Sequence, residues 1–153
     1  QKNREVFFTD QGWKIAPLIC YESVYGEYVT EYVRNGAQAL AIITNDGWWS
    51  ESQGYKQHLS YAKLRAVETR KNIIRSANTG SSAVINFRGE IIKKLDYGVK
   101  GHINHQLGLN NHQTFYVKYG DFIFRLSLFF FAFILLFTFS KKKNTDNSKK
   151  NIV

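Results

Sequence analysis

An α/β layered domain followed by one transmembrane helix is the fold class this sequence predicts, on three observations. Short apolar runs alternate with amphipathic stretches through the first hundred residues. The run Ile15-Ala16-Pro17-Leu18-Ile19 ends on Cys20, the only cysteine of the chain. Far downstream, Phe122 to Phe139 is a stretch of eighteen residues broken by one charge, Arg125.

Each element follows from its own pattern. Trp13 to Cys20 reads as a strand, and Val24 to Arg34 as a helix stopped by Asn35-Gly36. Ala37 to Thr44 is read as a continuous apolar run, the mark of a strand buried on both faces. Tyr55 to Lys71 reads as a helix with Tyr55, Leu59, Ala62 and Ala66 on one stripe. Ile73 to Ser76, Ser82 to Phe87 and Glu90 to Leu95 read as strands, the last two joined in a hairpin over Arg88-Gly89. This order predicts a sheet covered by helices, with Cys20 at a strand's carboxyl end, where α/β folds place their sites. Gly98 to Gln113 carries few apolar residues and reads as an outer loop.

At about 1.5 Å per residue, Phe122 to Phe139 spans roughly 27 Å, close to the thickness of a bilayer's hydrocarbon core. Its hydroxyls are Ser127 and Thr138, and no polar stripe follows Ser127, so membrane spanning is expected rather than burial in protein. Arg125, near one end, can snorkel to the interface or pair with Asp121. Lys141, Lys142 and Lys143 are expected on the cytoplasmic side. The expected division is an extracytoplasmic domain over 1–121, a transmembrane helix over 122–140 and a basic, disordered cytoplasmic tail over 141–153. In a bacterium with two membranes, that domain would face the periplasm from the inner membrane.

The formal net charge is +9. Five lysines against Asp146 give the last thirteen residues +4, leaving +5 scattered over the other 140, so a nucleic-acid partner is not expected. Hydrophobic residues at 44% suffice for a packed core. One cysteine excludes an internal disulfide or a Cys-based zinc site, and nothing in the pattern calls for a metal or a cofactor. The chain lacks methionine, and Gln1-Lys2-Asn3-Arg4-Glu5 does not resemble a signal peptide, so it reads as the C-terminal piece of a longer protein.

Cys20-Tyr21-Glu22 sets a thiol at a strand terminus with a carboxylate two residues on. Such a thiol is either an inert buried hydrophobe or a nucleophile for acyl chemistry. Alternation along an extended segment would put Glu22 on the side of Cys20 and Tyr21 on the other, unless the strand has already ended there. Trp48 and Trp49 follow Asn45-Asp46-Gly47 on an expected loop at the same edge, where they would line an acyl groove, dip into lipid or simply pack. Asn45 and Asp46 read as turn residues that cap backbone groups, with substrate contact the lesser alternative. Arg65 and Glu68 read as an ion pair on a helix face, and His102 and His105 as surface histidines. His58 opens the helix after the tryptophans, with nothing in the sequence to pair it with Cys20.

Four motifs in order carry a resemblance. Cys20-Tyr21-Glu22, Thr44-Asn45-Asp46-Gly47-Trp48-Trp49, Gln57-His58-Leu59 with Ala62-Lys63-Leu64-Arg65-Ala66-Val67-Glu68, and Arg75-Ser76-Ala77-Asn78-Thr79-Gly80 resemble the carbon–nitrogen hydrolase (nitrilase) superfamily. Within it they look most like the apolipoprotein N-acyltransferases. Tyr119-Gly120-Asp121 before the final span is similar to that family's ending. The resemblance implies the C-terminal part of a nitrilase-like α-β-β-α sandwich. It implies a fatty acyl chain taken from a phospholipid donor as a Cys20 thioester and passed to the N-terminal amine of a diacylglyceryl-apolipoprotein. Cys20 is then the nucleophile, the Tyr21 amide an oxyanion donor of the kind typically worth about 3 kcal/mol, and Glu22 a further carboxylate that the family needs. Trp48 and Trp49 are the candidate substrate-binding residues.

The family's general-base Glu and its Lys come from segments before the cysteine, and this chain begins nineteen residues before Cys20. Glu5, Asp10, Glu27, Lys2 and Lys14 do not sit in those motifs, so the chain alone is expected to be inactive. Two alternatives stay open: a membrane-tethered amidase or nitrilase, and an inactive truncated remnant.

Overall fold

The computed structural model describes residues 3–150, with side chains through Lys141. Residues up to Gly120 and those from Asp121 onward form two compact units.

The first unit is built on one six-stranded sheet in sequence order. Its strands are β1 (Phe7–Phe8), β2 (Lys14–Ile19), β3 (Ala39–Thr44), β4 (Ile73–Ala77), β5 (Ser82–Ile85) and β6 (Ile91–Leu95). The middle strands β2, β3 and β4 run parallel, while β1, β5 and β6 pair antiparallel at the flanks. Parallel neighbours need crossovers, supplied here by α1 (Gly26–Arg34) and α2 (Gln53–Thr69). The β5–β6 hairpin turns over Arg88-Gly89 as expected, with Gly89 at φ +83°. The two-residue β1 is too short to have shown a period in the sequence.

Both helices pack on one face. Ala16 and Leu18 of β2, Leu40 and Ile42 of β3, and Ile73 of β4 meet Val29, Tyr32 and Val33 of α1 and Leu59, Ala62 and Ala66 of α2 in one core. The expected stripe Tyr55, Leu59, Ala62 and Ala66 is therefore the buried side of α2. The other face differs from expectation, since among the described residues it is covered at Ala39 but opens toward the carboxyl end of β3. Ile19, Ile43 and Ile74 are exposed there, Ile43 by 56%. The reason is topological: consecutive parallel strands joined by crossovers of one hand carry both helices on the same side.

Helix α1 ends at Asn35-Gly36, with Gly36 at φ +97°, as its stop signal predicts. Helix α2 ends less conventionally, on Arg70 at φ +54°. The next residue, Lys71, is fully buried and donates from Nζ to the carbonyls of Asn110 and His112 at 2.7 and 2.8 Å and to Asn110 Oδ1 at 3.0 Å. Burial pushes its amine down to about 8. This clamp ties the loop after β6 to the base of the sheet. A short helix not foreseen in the sequence, α3 (Phe115–Tyr119), follows that loop, capped by the Thr114 hydroxyl accepting from the Val117 N–H. Val117 enters the core.

The second unit is a single helix, α4 (Phe122–Lys150). Its segment Phe122–Lys141, with a mean hydropathy of 2.4 over its most apolar eighteen-residue stretch, is long and apolar enough to cross a membrane. The helix continues through Lys150, where the composition led to the expectation of disorder. Residues 141–150 contain no proline or glycine to stop the ladder begun by the apolar run.

Candidate functional site

The site is built where β2 ends. Ile19 closes the strand, and Cys20–Val24 turns at once into a 3₁₀-helix. The turn requires Cys20 at φ +50°, a region that side-chain-bearing residues occupy at a cost of order 1–3 kcal/mol. Surrounding bonds hold it there. Glu22 Oε2 accepts the Ile19 N–H at 2.8 Å, and Oε1 accepts the hydroxyl of Tyr28 from α1. The Ser23 hydroxyl donates to the Cys20 carbonyl at 2.8 Å. Tyr28 is in turn covered by the Arg4 guanidinium, 3.8 Å from its ring centre, and burial with the neighbouring Glu22 raises its hydroxyl well above the ordinary tyrosine range. Strand alternation does not continue past Ile19, so Glu22 is not placed beside the thiol by that rule. Its carboxylate instead braces the turn.

Beneath the turn lies a buried polar network that the sequence did not reveal. Thr44, at the end of β3, sets its hydroxyl 3.3 Å from Cys20 Sγ and 3.0 Å from Asp46 Oδ1. Asp46 is 0% exposed and receives Arg75 on Oδ2 at 2.6 Å and His58 Nδ1 on Oδ1 at 3.0 Å. Burial alone would raise the Asp46 carboxyl, but the bonds from His58 and Arg75 and the charge of Arg75 outweigh it and hold the group below its ordinary value. His58 is 2% exposed, and its Nε2 lies 3.2 Å from both the Cys20 carbonyl oxygen and Ser23 Oγ. Arg75 also donates to the Ser81 carbonyl. Asp46 is thus the centre of the network rather than a turn cap. Asn45 does cap, with Oδ1 accepting the Gly47 N–H at 3.1 Å. The available signal was Arg75 itself, a charge inside the apolar strand Ile73–Ala77 that demanded a buried anion.

The two tryptophans part company. Both lie on a 3₁₀-helix, Asp46–Trp49, at the carboxyl edge shared with Cys20. Trp48 is 79% exposed, whereas Trp49 is half-buried with its ring edge-on to His58 at 5.4 Å and tilted against Tyr21 at 6.4 Å. Gly54 makes room for it, since a Cβ there would come 2.5 Å from Trp49 Cγ. Tyr21 is half-exposed and meets Tyr25 edge-on at 6.0 Å. Arg65 and Glu68 form the expected pair at 3.1 Å, with Arg65 buried. A cleft of about 480 Å³ lies over the open face of the sheet, lined by Ile43, Ile74, Ser76 and Leu95 with His102. Among the described residues no three His, Cys, Asp or Glu side chains converge to hold a metal.

Residues 1–115 match the sequence profile of the carbon-nitrogen hydrolase family. The chain belongs to the carbon-nitrogen hydrolases. Among curated members it is similar to the apolipoprotein N-acyltransferases of Thermotoga maritima, at 33% identity over 83% of this chain, and Borreliella burgdorferi, at 38% over 86%. It spans about a quarter of their lengths, 25% and 26%. Its fold is that of a carbon-nitrogen hydrolase from Helicobacter pylori G27, with a TM-score of 0.58 at 16% identity over 65% of this chain and 42% of that one. An amidase from Nesterenkonia sp. is similar at a TM-score of 0.52 and 20% identity, over 71% of this chain and 40% of the other. The nitrilase-like α/β fold expected from the motifs is thus the fold observed.

Proposed function

We propose that this carbon-nitrogen hydrolase chain carries the nucleophile and the final membrane span of an apolipoprotein N-acyltransferase. The observation that carries the reading is a braced cysteine at the carboxyl end of a parallel strand in a chain that also holds a membrane-length helix. Identity of 33–44% to curated apolipoprotein N-acyltransferases supports it.

Cys20 Sγ, as thiolate, attacks the ester carbonyl of a phospholipid. The C–O bond breaks, the lysophospholipid leaves with a proton, and a thioester remains. The N-terminal amine of a diacylglyceryl-lipoprotein then attacks the thioester; the C–S bond breaks, an amide forms, the amine's proton passes to the general base, and the thiolate returns. The Tyr21 N–H faces the oxyanion in both steps, and Glu22 positions the turn by its bonds to Ile19 and Tyr28. The base Glu and the Lys that the family resemblance implies come from segments of the whole protein outside this chain. Exposed Trp48 meets the acyl chain or the lipid surface. Residues 1–121 face away from the cytoplasm, and the lysines after the span hold the C-terminus inside.

The test uses the whole protein in phospholipid membranes with a synthetic diacylglyceryl-peptide acceptor. N-acylated peptide should form, and Cys20→Ser should abolish it. Free fatty acid in place of acylated peptide would instead assign a membrane-tethered hydrolase, and neither product an inactive remnant.

A further inference from the structure

His58 is the one buried imidazole of this site, and the reaction as written gives it no role. Its surroundings define one. Nδ1 donates to Asp46 Oδ1 at 3.0 Å, with Arg75, the other donor to that carboxylate, 3.3 Å away. Nε2 differs. It faces the Cys20 carbonyl oxygen, which can only accept, and Ser23 Oγ, whose single proton is already given to that same carbonyl at 2.8 Å. Satisfying these neighbours therefore puts a proton on Nε2 as well as on Nδ1, donated to the Cys20 carbonyl, and the ring bridges two acceptors.

That carbonyl belongs to the peptide group joining Cys20 to Tyr21. No peptide bond among the described residues is cis, and in a trans peptide the C=O and N–H point in opposite directions. Ser23 and His58 are both buried, so they draw the carbonyl toward the interior and turn the Tyr21 N–H outward, away from the core. A carbonyl that accepts two hydrogen bonds also polarises its own amide, making that N–H a stronger donor. Asp46 and Arg75 fix the ring from behind, while Trp49 and Tyr21 lie against it at 5.4 and 5.9 Å.

We propose that His58 is a positioning residue that acts through the Cys20 carbonyl to aim the Tyr21 N–H at the oxyanion. This rests on the reading of Cys20 as an acyl-accepting nucleophile, and the test separates the two. The variants are His58→Asn, whose amide reaches the Nδ1 position, and His58→Gln, whose amide reaches the Nε2 position. Each is made in the whole protein in phospholipid membranes. Two rates are read at Cys20: alkylation by iodoacetamide, a displacement that forms no oxyanion, and acyl-thioester formation.

His58→Asn should lower thioester formation by about 10²–10³-fold, the usual effect of losing one oxyanion donor, with alkylation within about threefold of wild type. His58→Gln should restore most of the acylation. Equal acylation in wild type and both variants overturns the proposal, as does a parallel fall of alkylation and acylation in His58→Asn, which marks a purely structural loss. Should His58→Asn fail to accumulate, Ser23→Ala, which removes the other donor to the same carbonyl, must slow acylation with alkylation intact; unchanged acylation overturns the proposal. Wild type that forms no thioester removes the nucleophile reading itself.

Discussion

Glu22 shows what a sequence can and cannot say about a single side chain. Its place two residues after Cys20 marked it as part of the site, but strand alternation does not reach it, because a positive φ at Cys20 ends the strand and no composition signal announces that bend. The carboxylate is taken up by the Ile19 N–H and the Tyr28 hydroxyl, a partner six residues downstream on α1. Lys71 was equally silent, as a lysine at the end of a helix is ordinarily solvated. Buried among three acceptors, its amine is pushed down from 10.5 to about 8. The folded state therefore releases a proton that the unfolded chain keeps up to about 10.5, so stability rises with pH between those values. Relative to Lys71→Met, the wild-type protein should gain thermal stability from pH 7.5 to 9.5, on the order of 1 kcal/mol. A difference between the two proteins that is constant across that range would contradict the assignment.

At the scale of elements, periodicity served well where burial was one-sided. Tyr55, Leu59, Ala62 and Ala66 predicted the inward stripe of α2, and the hairpin over Arg88-Gly89 formed as its turn residues required. The two-sided burial expected for β3 did not hold along its length, since an apolar run shows that a strand avoids water without showing what the described residues place against it. The polar network was illegible for a different reason: Thr44, Asp46, His58 and Arg75 come from three separate segments joined only by the β3–β4 register. Its tolerance is tested at the turn between β4 and β5. A Cβ on Gly80 would come 2.1 Å from Asp46 Oδ2 and 2.5 Å from its Cβ, so Gly80→Ala displaces the carboxylate shared by His58 and Arg75. Disturbing one partner of a buried ion pair typically costs about 3–5 kcal/mol. Gly80→Ala should lower N-acylation of the peptide at least tenfold although no reacting group is touched, and wild-type activity would show that the network is dispensable.

For the whole molecule, composition and order were enough to forecast an α/β layer followed by an apolar helix, and the four motifs pointed to the carbon-nitrogen hydrolases that the profile match confirms. What joins the parts into one function is the chemistry proposed at Cys20. A thiol at a braced strand end, followed in sequence by a membrane-length helix, suits an acyl donor that resides in lipid rather than a soluble amide. The most direct measurement is mass spectrometry of the whole protein recovered from phospholipid membranes, read for a hydroxylamine-sensitive fatty-acyl adduct, with Cys20→Ser as control. An adduct on Cys20 that is absent from the variant is the predicted result. A protein that turns over its acceptor while Cys20 stays unmodified, or carries the adduct on another residue, would contradict the account.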